Sequence, residues 1–576
     1  PYTTLFRSTL MKPGDWDDQF QYLAMARKKD RSTAFFGFQP YYVQAPQYEN
    51  GNRDISYGIS DRPLYKPGDT AHLKFYLRNV GYFEPEESRW ANQSGTLVVT
   101  NGRGEEVMKI EKLKTDELGA VETEIVIPKD AVLGNWQASY RIGDKISADV
   151  SLQVEEYRKP EYEVTVDAPA EPVRLGDKFT ATVKAMYFHG APVRNAEVEV
   201  IVKRSSITDR WFPLGRWDWL YGPGAWWNGS DASWHPGWKD WGCLPPHPPW
   251  WQGNRWTPDE LVLKTHIAIG PDGTAKVEID TAAAKQIHGD LDAKYSIEAR
   301  VVDASRREER GTGSVIAARK PFEVVVWTNR GYARAGEAVE ANISAATLAG
   351  KPVVAAKGTL KLFKLGRGEN GRIEEKEIQS FPVVTDAQGE VKQRFAAPVT
   401  GQYRLAAILS FKDGDPAEGA TILNVQAPGR ADPADWNFGP LELVADKATY
   451  AAGETVKLRV NSDKANANVW LFLHIAGSAG REARRIKLDG KSLEVDVPLD
   501  LRDMPNMFIE GITVFNADVH SAVRQILLPP VSKLIEVTLE PAKTRVKPRE
   551  NSSLRVTLRD AEGKPVTGVA VLSIYD

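Results

Sequence analysis

Cysteine is almost absent from this chain. Cys243 stands alone among 576 residues, so no disulfide can form within the chain, and the disulfide-dense class of secreted animal proteins is excluded. No run of about 18 apolar residues occurs, so nothing here spans a bilayer as a helix. Charge of one sign is also missing: the net charge is −3, with charged residues at 26% and both signs interspersed. Such a chain projects no long-range field toward nucleic acid or an anionic membrane, and nucleic acid is not an expected partner. Histidine is scarce, at eight residues, and none has the His-x-x-x-His spacing of a zinc site. His235 and His247 flank Cys243 in a loop, where histidines are usually solvated or stacked on aromatics. GRGENGR (Gly366–Arg372) lacks the Lys-Ser/Thr of a phosphate loop and reads as a hairpin loop. No Gly-x-Ser-x-Gly elbow and no convergent acid/base set is present, so neither an enzyme nor a cofactor is expected. Long helical periodicity is missing as well; DTAAAKQIHG (Asp280–Gly289) is at most a short helix.

What is present is a repeat. LYKPGDTAHLKFYLR (Leu64–Arg78) returns as VRLGDKFTATVKAMYF (Val173–Phe188), YARAGEAVEANISAATL (Tyr332–Leu348), YAAGETVKLRVNS (Tyr450–Ser462) and, degraded, VKPRENSSLRVTLRD (Val546–Asp560). Each copy has a tight turn with an acidic residue, then alternating apolar positions. The turn glycines are Gly68, Gly176, Gly336 and Gly453, with Arg549 in the last copy. Most gaps are on the order of 100–120 residues, a common β-sandwich length. The gap from Gly176 to Gly336 is longer; removing Ser205–Trp256, which lacks strand alternation, restores the period. That stretch reads as an insertion.

Other parts recur with the same phase. Gly-containing hairpin turns appear at Asp116–Pro128, Gly270–Ile279 and Asp386–Phe395, and Gly-x-Pro-Val at Gly190, Gly350 and Gly563. Strands are short, rich in Val, Ile, Thr and Tyr, and alternate with period two. The expected fold is all-β: tandem immunoglobulin-like antiparallel β-sandwich domains, one with a long Trp/Pro/Gly-rich insertion. The divisions are 9–50 (end of an upstream domain), 51–156, 157–319 with insertion 205–256, 320–428, 429–533 and 534–576 (start of a further domain). Linkers fall at Ala427–Pro440 and Leu528–Lys533, both Pro-containing. Residues 1–8, PYTTLFRS, read like a translated sequencing adapter and are set aside as an artefact.

Several of these stretches resemble the alpha-2-macroglobulin family. DRPLYKPGDTAHLKFYLRN (Asp61–Asn79) is similar to the opening of its second macroglobulin-like domain, and SLQVEEYRKPEYEVTV (Ser151–Val166) to the junction into the next. AMYFHGAPVRNAEVEVIV (Ala185–Val202) resembles the Gly-x-Pro hairpin of that next domain. Leu441–Ser462 through Gly563–Asp576 resembles the bait-region portion of bacterial members. The resemblance implies macroglobulin-like sandwiches and a broad-spectrum inhibitor whose partners are endopeptidases. The target protease cuts a bait segment and the domain ring collapses around it. It also implies a bacterial cell envelope (periplasm or cell surface). The family's Cys-Gly-Glu-Gln thioester is not at Cys243, which is followed by Leu244, Pro245 and Pro246.

Two stretches are candidate functional sites. Between the last strands of the fourth unit and the next lies Phe515–Lys533, the candidate bait segment by resemblance, with Asn516, His520, Arg524, Gln525, Leu528 and Lys533. A protease needs an extended, accessible stretch, and interdomain loops supply one; the alternative is an ordinary strand and linker. The insertion holds eleven of the 17 tryptophans. Trp217, Trp219, Trp226, Trp227, Trp234, Trp238, Trp241, Trp250 and Trp251 form a candidate ligand surface for glycan or an envelope protein. The alternative is that the rings pack on one another and on the host sandwich. If the insertion binds a ligand, the chain reads instead as a cell-envelope adhesive or scaffold protein.

Overall fold

In the computed structural model the described residues run from 24 to 572. Breaks fall at 28–32, 37–52, 81–87, 157–160, 208–210, 223, 230–231, 239–258, 290, 412–414, 428–435, 476–480, 517, 548–549, 569 and 571. The candidates Trp241, Trp250 and Trp251, with Cys243, His247 and Arg549, lie outside the described residues.

Three successive stretches fold to one plan. In the first, Arg53–Ser60, Thr70–Val80 and Ala120–Val126 make a three-stranded antiparallel sheet. Against it packs a five-stranded sheet in the order Leu64–Tyr65, Ile146–Val154, Gly134–Ile142, Ser94–Thr100 and Glu106–Lys114. The second sandwich, from Tyr162 to Ala318, and the third, from Glu323 to Gln426, repeat both sheets and both strand orders. The fourth, from Glu442 to Leu527, has three strands on four. Ile535–Pro541 and Leu554–Asp560 form a further hairpin, and Ala24–Arg27 pairs with Thr33–Phe36 near the start. The chain is therefore all-β, a row of antiparallel sandwiches.

Period-two patterning explains the layers. In Ser94–Thr100 the buried positions alternate, sending Leu97 and Val99 inward. They meet Leu73, Phe75 and Leu77 from the facing sheet, and the Phe75 and Tyr140 rings stack at 5.9 Å. Each such side chain contributes about 1.5–3 kcal/mol by leaving water. The other sandwiches have equivalent cores, around Tyr295, Tyr403 and Leu471.

The repeated turn motif is the place where the chain changes sheets. Leu64–Tyr65 leaves the three-stranded sheet, pairs in parallel with the last strand of the other sheet, and then returns. The same parallel contact joins Arg174 to Ala318, Arg334 to Gln426 and Thr449 to Leu527. The return demands a left-handed residue: φ is +93° at Gly68 and +88° at Gly453. The recurring acid closes the turn. Asp69 Oδ2 accepts from the Lys66 N–H at 3.0 Å, Glu337 from Arg334 at 2.9 Å, Glu454 from Ala451 at 3.0 Å and Glu550 from Lys547 at 2.8 Å.

A second lock precedes it. Asp61 Oδ1 accepts from the Tyr65 hydroxyl at 2.7 Å and the His72 N–H at 2.9 Å. Asp446 does the same for Tyr450 at 2.7 Å and Lys457 at 2.8 Å. In the third sandwich Asn329 replaces the acid and accepts from the Glu340 N–H at 3.0 Å. Burial of Tyr65, helped by its bond to Asp61, pushes the phenol up to about 12.

One departure from period two leads to the site. In the third sandwich, Gly401–Ser410 is buried at seven consecutive positions and Ala417–Gln426 at nearly all. The matching strand of the second sandwich, Ala293–Val302, alternates. Something covers the outer face of the third sandwich.

Candidate functional site

The cover is the tryptophan-rich insertion. It leaves and re-enters at one end of a hairpin of the second sandwich, where Arg204 lies opposite Glu260. The flanking strand runs on to Ser206, and the described part of the insertion includes a helical turn, Asp218–Tyr221. Its described backbone is bonded largely in local turns, such as Asp218 to Gly215 and His235 to Ala232, and the carbonyls of Trp227 and Gly229 are taken by a neighbouring domain.

On the third sandwich it covers part of the outer face, the linker residue Asn437 covering Gln402 beside it. Ala232, 1% exposed, packs with Ala406, Ala420 and Ile422, and Trp234 and Trp238 lie against the same group. The small alanines leave a flat floor for the indoles. Beside them sits the buried His235. Its Nδ1 accepts from the Gly237 N–H at 3.1 Å, so Nε2 carries the proton and donates to Glu375 Oε1 at 3.1 Å. Arg404 donates to both oxygens of Glu375, at 2.7 Å each, and also pairs with Glu418. Burial alone would raise the Glu375 carboxyl; the bonds from His235 and Arg404 outweigh it and hold the group at about 2.

On the fourth sandwich the insertion makes hydrogen bonds to main chain. Tyr221 donates its hydroxyl to the Pro505 carbonyl at 2.7 Å, and Asn228 Nδ2 donates to the Ala445 carbonyl at 2.8 Å. In the other direction, Arg524 of the fourth sandwich donates to the carbonyls of Trp227 at 3.0 Å and Gly229 at 3.2 Å. Its Nε reaches the Leu443 carbonyl of its own domain at 2.9 Å. Burial pushes this guanidinium down to about 10.

The same corner joins the third and fourth sandwiches directly. The Tyr332 hydroxyl, with one proton to donate, lies 3.1 Å from the Lys457 carbonyl and 3.0 Å from Glu494, and burial raises its phenol far above the ordinary range. The backbone passes so close at Gly331 that a Cβ there would sit 2.3 Å from the Ala445 carbonyl oxygen.

The six candidate tryptophans among the described residues thus part company. Trp226 tilts against Trp327 at 4.9 Å, and its neighbour Trp227, at 6.0 Å, meets Phe212 edge-on at 5.8 Å. Trp234 and Trp238 are partly buried on the third sandwich. Trp217 lies under the Arg216 guanidinium at 5.0 Å. Trp219 is 68% exposed, as is Leu214 at 88%. No cavity gathers these rings around a common space among the described residues.

Over the candidate bait segment the structure differs from an open interdomain stretch. Asp518–Leu527 is the edge strand of the fourth sandwich, paired residue for residue with Asn506–Phe515. The reason is apolar: Ile526 and Leu527 are buried in the core, and Leu528, fully buried, donates its N–H to the Pro505 carbonyl at 2.8 Å. Asn516 forms the hairpin turn at φ +53° and His520 stacks on Phe515 at 4.2 Å. Arg524 is committed to its three carbonyls, and Gln525 pairs with Phe508. Of the two in the connection, Leu528 is buried and Lys533 is exposed, at the end of a short 3-10 turn, Val531–Lys533. Sequence reasoning missed Glu375, Arg404, Tyr332, Glu494 and Asn228, since a hydrogen bond between domains leaves no spacing signal.

Comparison with known proteins gives consistent matches. Residues 55–166 match the MG2 domain and residues 156–211 the macroglobulin domain MG3. The alpha-2-macroglobulin homolog of Nostoc sp. is 22% identical over 578 residues, covering 95% of this chain and 28% of that protein. The alpha-2-macroglobulin of Thermotoga maritima is 30% identical over 151 residues, 26% of this chain and 10% of that protein. A crystal structure of trypsin-activated alpha-2-macroglobulin from Escherichia coli aligns with a TM-score of 0.46 at 14% identity, over 94% of this chain and 35% of that chain. The chain spans less than a third of the length of these curated relatives.

Proposed function

We propose that the chain, which matches MG2 and MG3 domains and aligns with an alpha-2-macroglobulin homolog over 95% of its length, is a section of an alpha-2-macroglobulin-type, broad-spectrum endopeptidase inhibitor that holds its target after being cut. The supporting observation is the consecutive match to MG2 and MG3, continued by further sandwiches that change sheets through the same turn. In this reading the protease supplies the chemistry, and the inhibitor supplies a row of stiff modules whose arrangement changes on cleavage. The protein would work in a bacterial cell envelope, where foreign proteases arrive.

Within this chain the bond best disposed for cutting follows Lys533. A protease must draw several residues into an extended form, and Lys533 lies between the fourth sandwich and the hairpin that follows it, on an exposed turn. Arg524, also basic, would first have to break its hydrogen bonds and leave its strand.

The test is digestion of the longer protein that contains this chain with a trypsin-like enzyme at limiting ratio. The cut sites are mapped by mass spectrometry and the hydrodynamic radius is followed. One dominant early cut between residues 528 and 534, with compaction and retained protease, supports the proposal. Scattered cuts with no change in size remove its mechanism.

A further inference from the structure

We infer that the insertion is an internal strut: it fixes the second, third and fourth sandwiches into one rigid block, so that rearrangement of the protein must take place at other junctions. The inference concerns the mechanics of this chain and stands whether or not it inhibits proteases.

Two anchors carry it, and they are independent of each other. The first is apolar with an ionic rim: Ala232, Trp234 and Trp238 on the Ala406–Ala420–Ile422 floor, closed by His235 on Glu375. The second is a set of main-chain hydrogen bonds to the fourth sandwich, from Tyr221 and Asn228 outward and from Arg524 inward. The insertion is covalently rooted at Ser206 and Glu260 in the second sandwich. Three bodies meet in one segment, and each is held at a separate point.

Separation would be costly on both sides. Pulling the insertion from the third sandwich uncovers a contiguous apolar face. Pulling it from the fourth breaks the bonds of Arg524 to Trp227 and Gly229 and those of Tyr221 and Asn228 to Pro505 and Ala445, and exchanging them for water gives up their net stabilisation. The face on the third sandwich is not patterned as solvent-exposed β: the strand Gly401–Ser410 is buried at seven consecutive positions. The direct contacts of Tyr332 and Gly331 with the fourth sandwich stiffen the same corner. A hinge needs few buried contacts and freely solvated backbone, and this corner has the opposite.

The experiment uses the full chain in a Cys243→Ser background. Spin labels are placed at Lys276→Cys in the second sandwich and Lys464→Cys in the fourth, both exposed. The parent is expected to give a single narrow distance distribution. Replacing residues 211–256 by a short Gly-Ser hairpin loop should widen it by about twofold or more, with the sandwiches still protected from hydrogen exchange. If excision prevents folding, the triple variant Tyr221→Phe, Asn228→Ala, Arg524→Gln in the intact chain decides by the same widening. A broad distribution in the parent overturns the inference. So does an unchanged narrow one in the folded excision variant, or in the triple variant if excision prevents folding.

Discussion

Arg524 and Trp227 are 297 positions apart in sequence, yet the guanidinium of one donates to the main-chain carbonyl of the other at 3.0 Å. The contact joins the edge strand of the fourth sandwich to a loop that belongs to the second. Three carbonyls, of Leu443, Trp227 and Gly229, take its donors, and no carboxylate among the described residues does. Arginine suits this because its planar fork offers five donors in fixed directions.

Arg524→Met should therefore destabilise the fourth sandwich by about 2–3 kcal/mol, since the carbonyls lose their donors in a place water does not easily reach. Arg524→Lys should recover little of it, because an ammonium cannot reach three separate acceptors. Calorimetry resolving the transition of this domain checks both; an unchanged transition in Arg524→Met would remove Arg524 from the account.

Glu375 predicts an acid-sensitive dock. Its carboxyl is held at about 2 in the folded protein, below the ordinary value of about 4.3. The stability it supplies is fully present above the ordinary value and disappears as the pH falls through about 2. Glu375→Gln should cost about 1–2 kcal/mol at pH 7, allowing for partial exposure. The gap to the parent should close between about pH 4 and pH 2. Tryptophan emission against denaturant at several pH values measures it, and a pH-independent gap would contradict it.

The turn glycines differ in what surrounds them, which separates two costs. At Gly453, φ is +88° and a Cβ would meet nothing within 4 Å. Gly453→Ala should cost only the left-handed penalty, about 1–2 kcal/mol. At Gly389, φ is +76° and a Cβ would lie 2.5 Å from the Ala345 carbonyl oxygen. Gly389→Ala adds that clash and should cost about 3 kcal/mol or more. Equal losses in thermal unfolding would show that backbone conformation alone sets both.

The tryptophans of the insertion should likewise separate. Trp227, 6% exposed, wedges between Phe212 and Trp226, and Trp227→Ala should cost about 3–5 kcal/mol. Trp219 is largely in solvent, and Trp219→Ala should change stability by no more than about 0.5 kcal/mol. Acrylamide quenching of single-tryptophan losses gives the same ranking: removal of Trp219 should take away more quenchable emission than removal of Trp227.

Much of the architecture was legible because it is local. Alternation identifies the strands, and the repeated Gly and acid identify the turn, since only a left-handed residue and an acceptor three positions downstream close it. Asp61 and Tyr65 were legible too, as Asp-x-x-x-Tyr repeated at Asp446 and Tyr450, but a spacing of four carries no meaning until the corner it locks is known. The strand Asp518–Leu527 was harder. Its mixture of polar and apolar residues fits an exposed connection or a sheet edge, and only pairing with Asn506–Phe515 distinguishes them.

The sequence by itself determined the all-β repeat and the place of the insertion, because each depends on residues close together in the chain. Tertiary structure alone decided what the insertion does with its tryptophans. Whether an indole faces water or a neighbouring domain depends on which surface lies opposite. Ala406, Ala420 and Arg524 are brought to that surface by the packing of whole sandwiches, a distance over which sequence spacing holds no record.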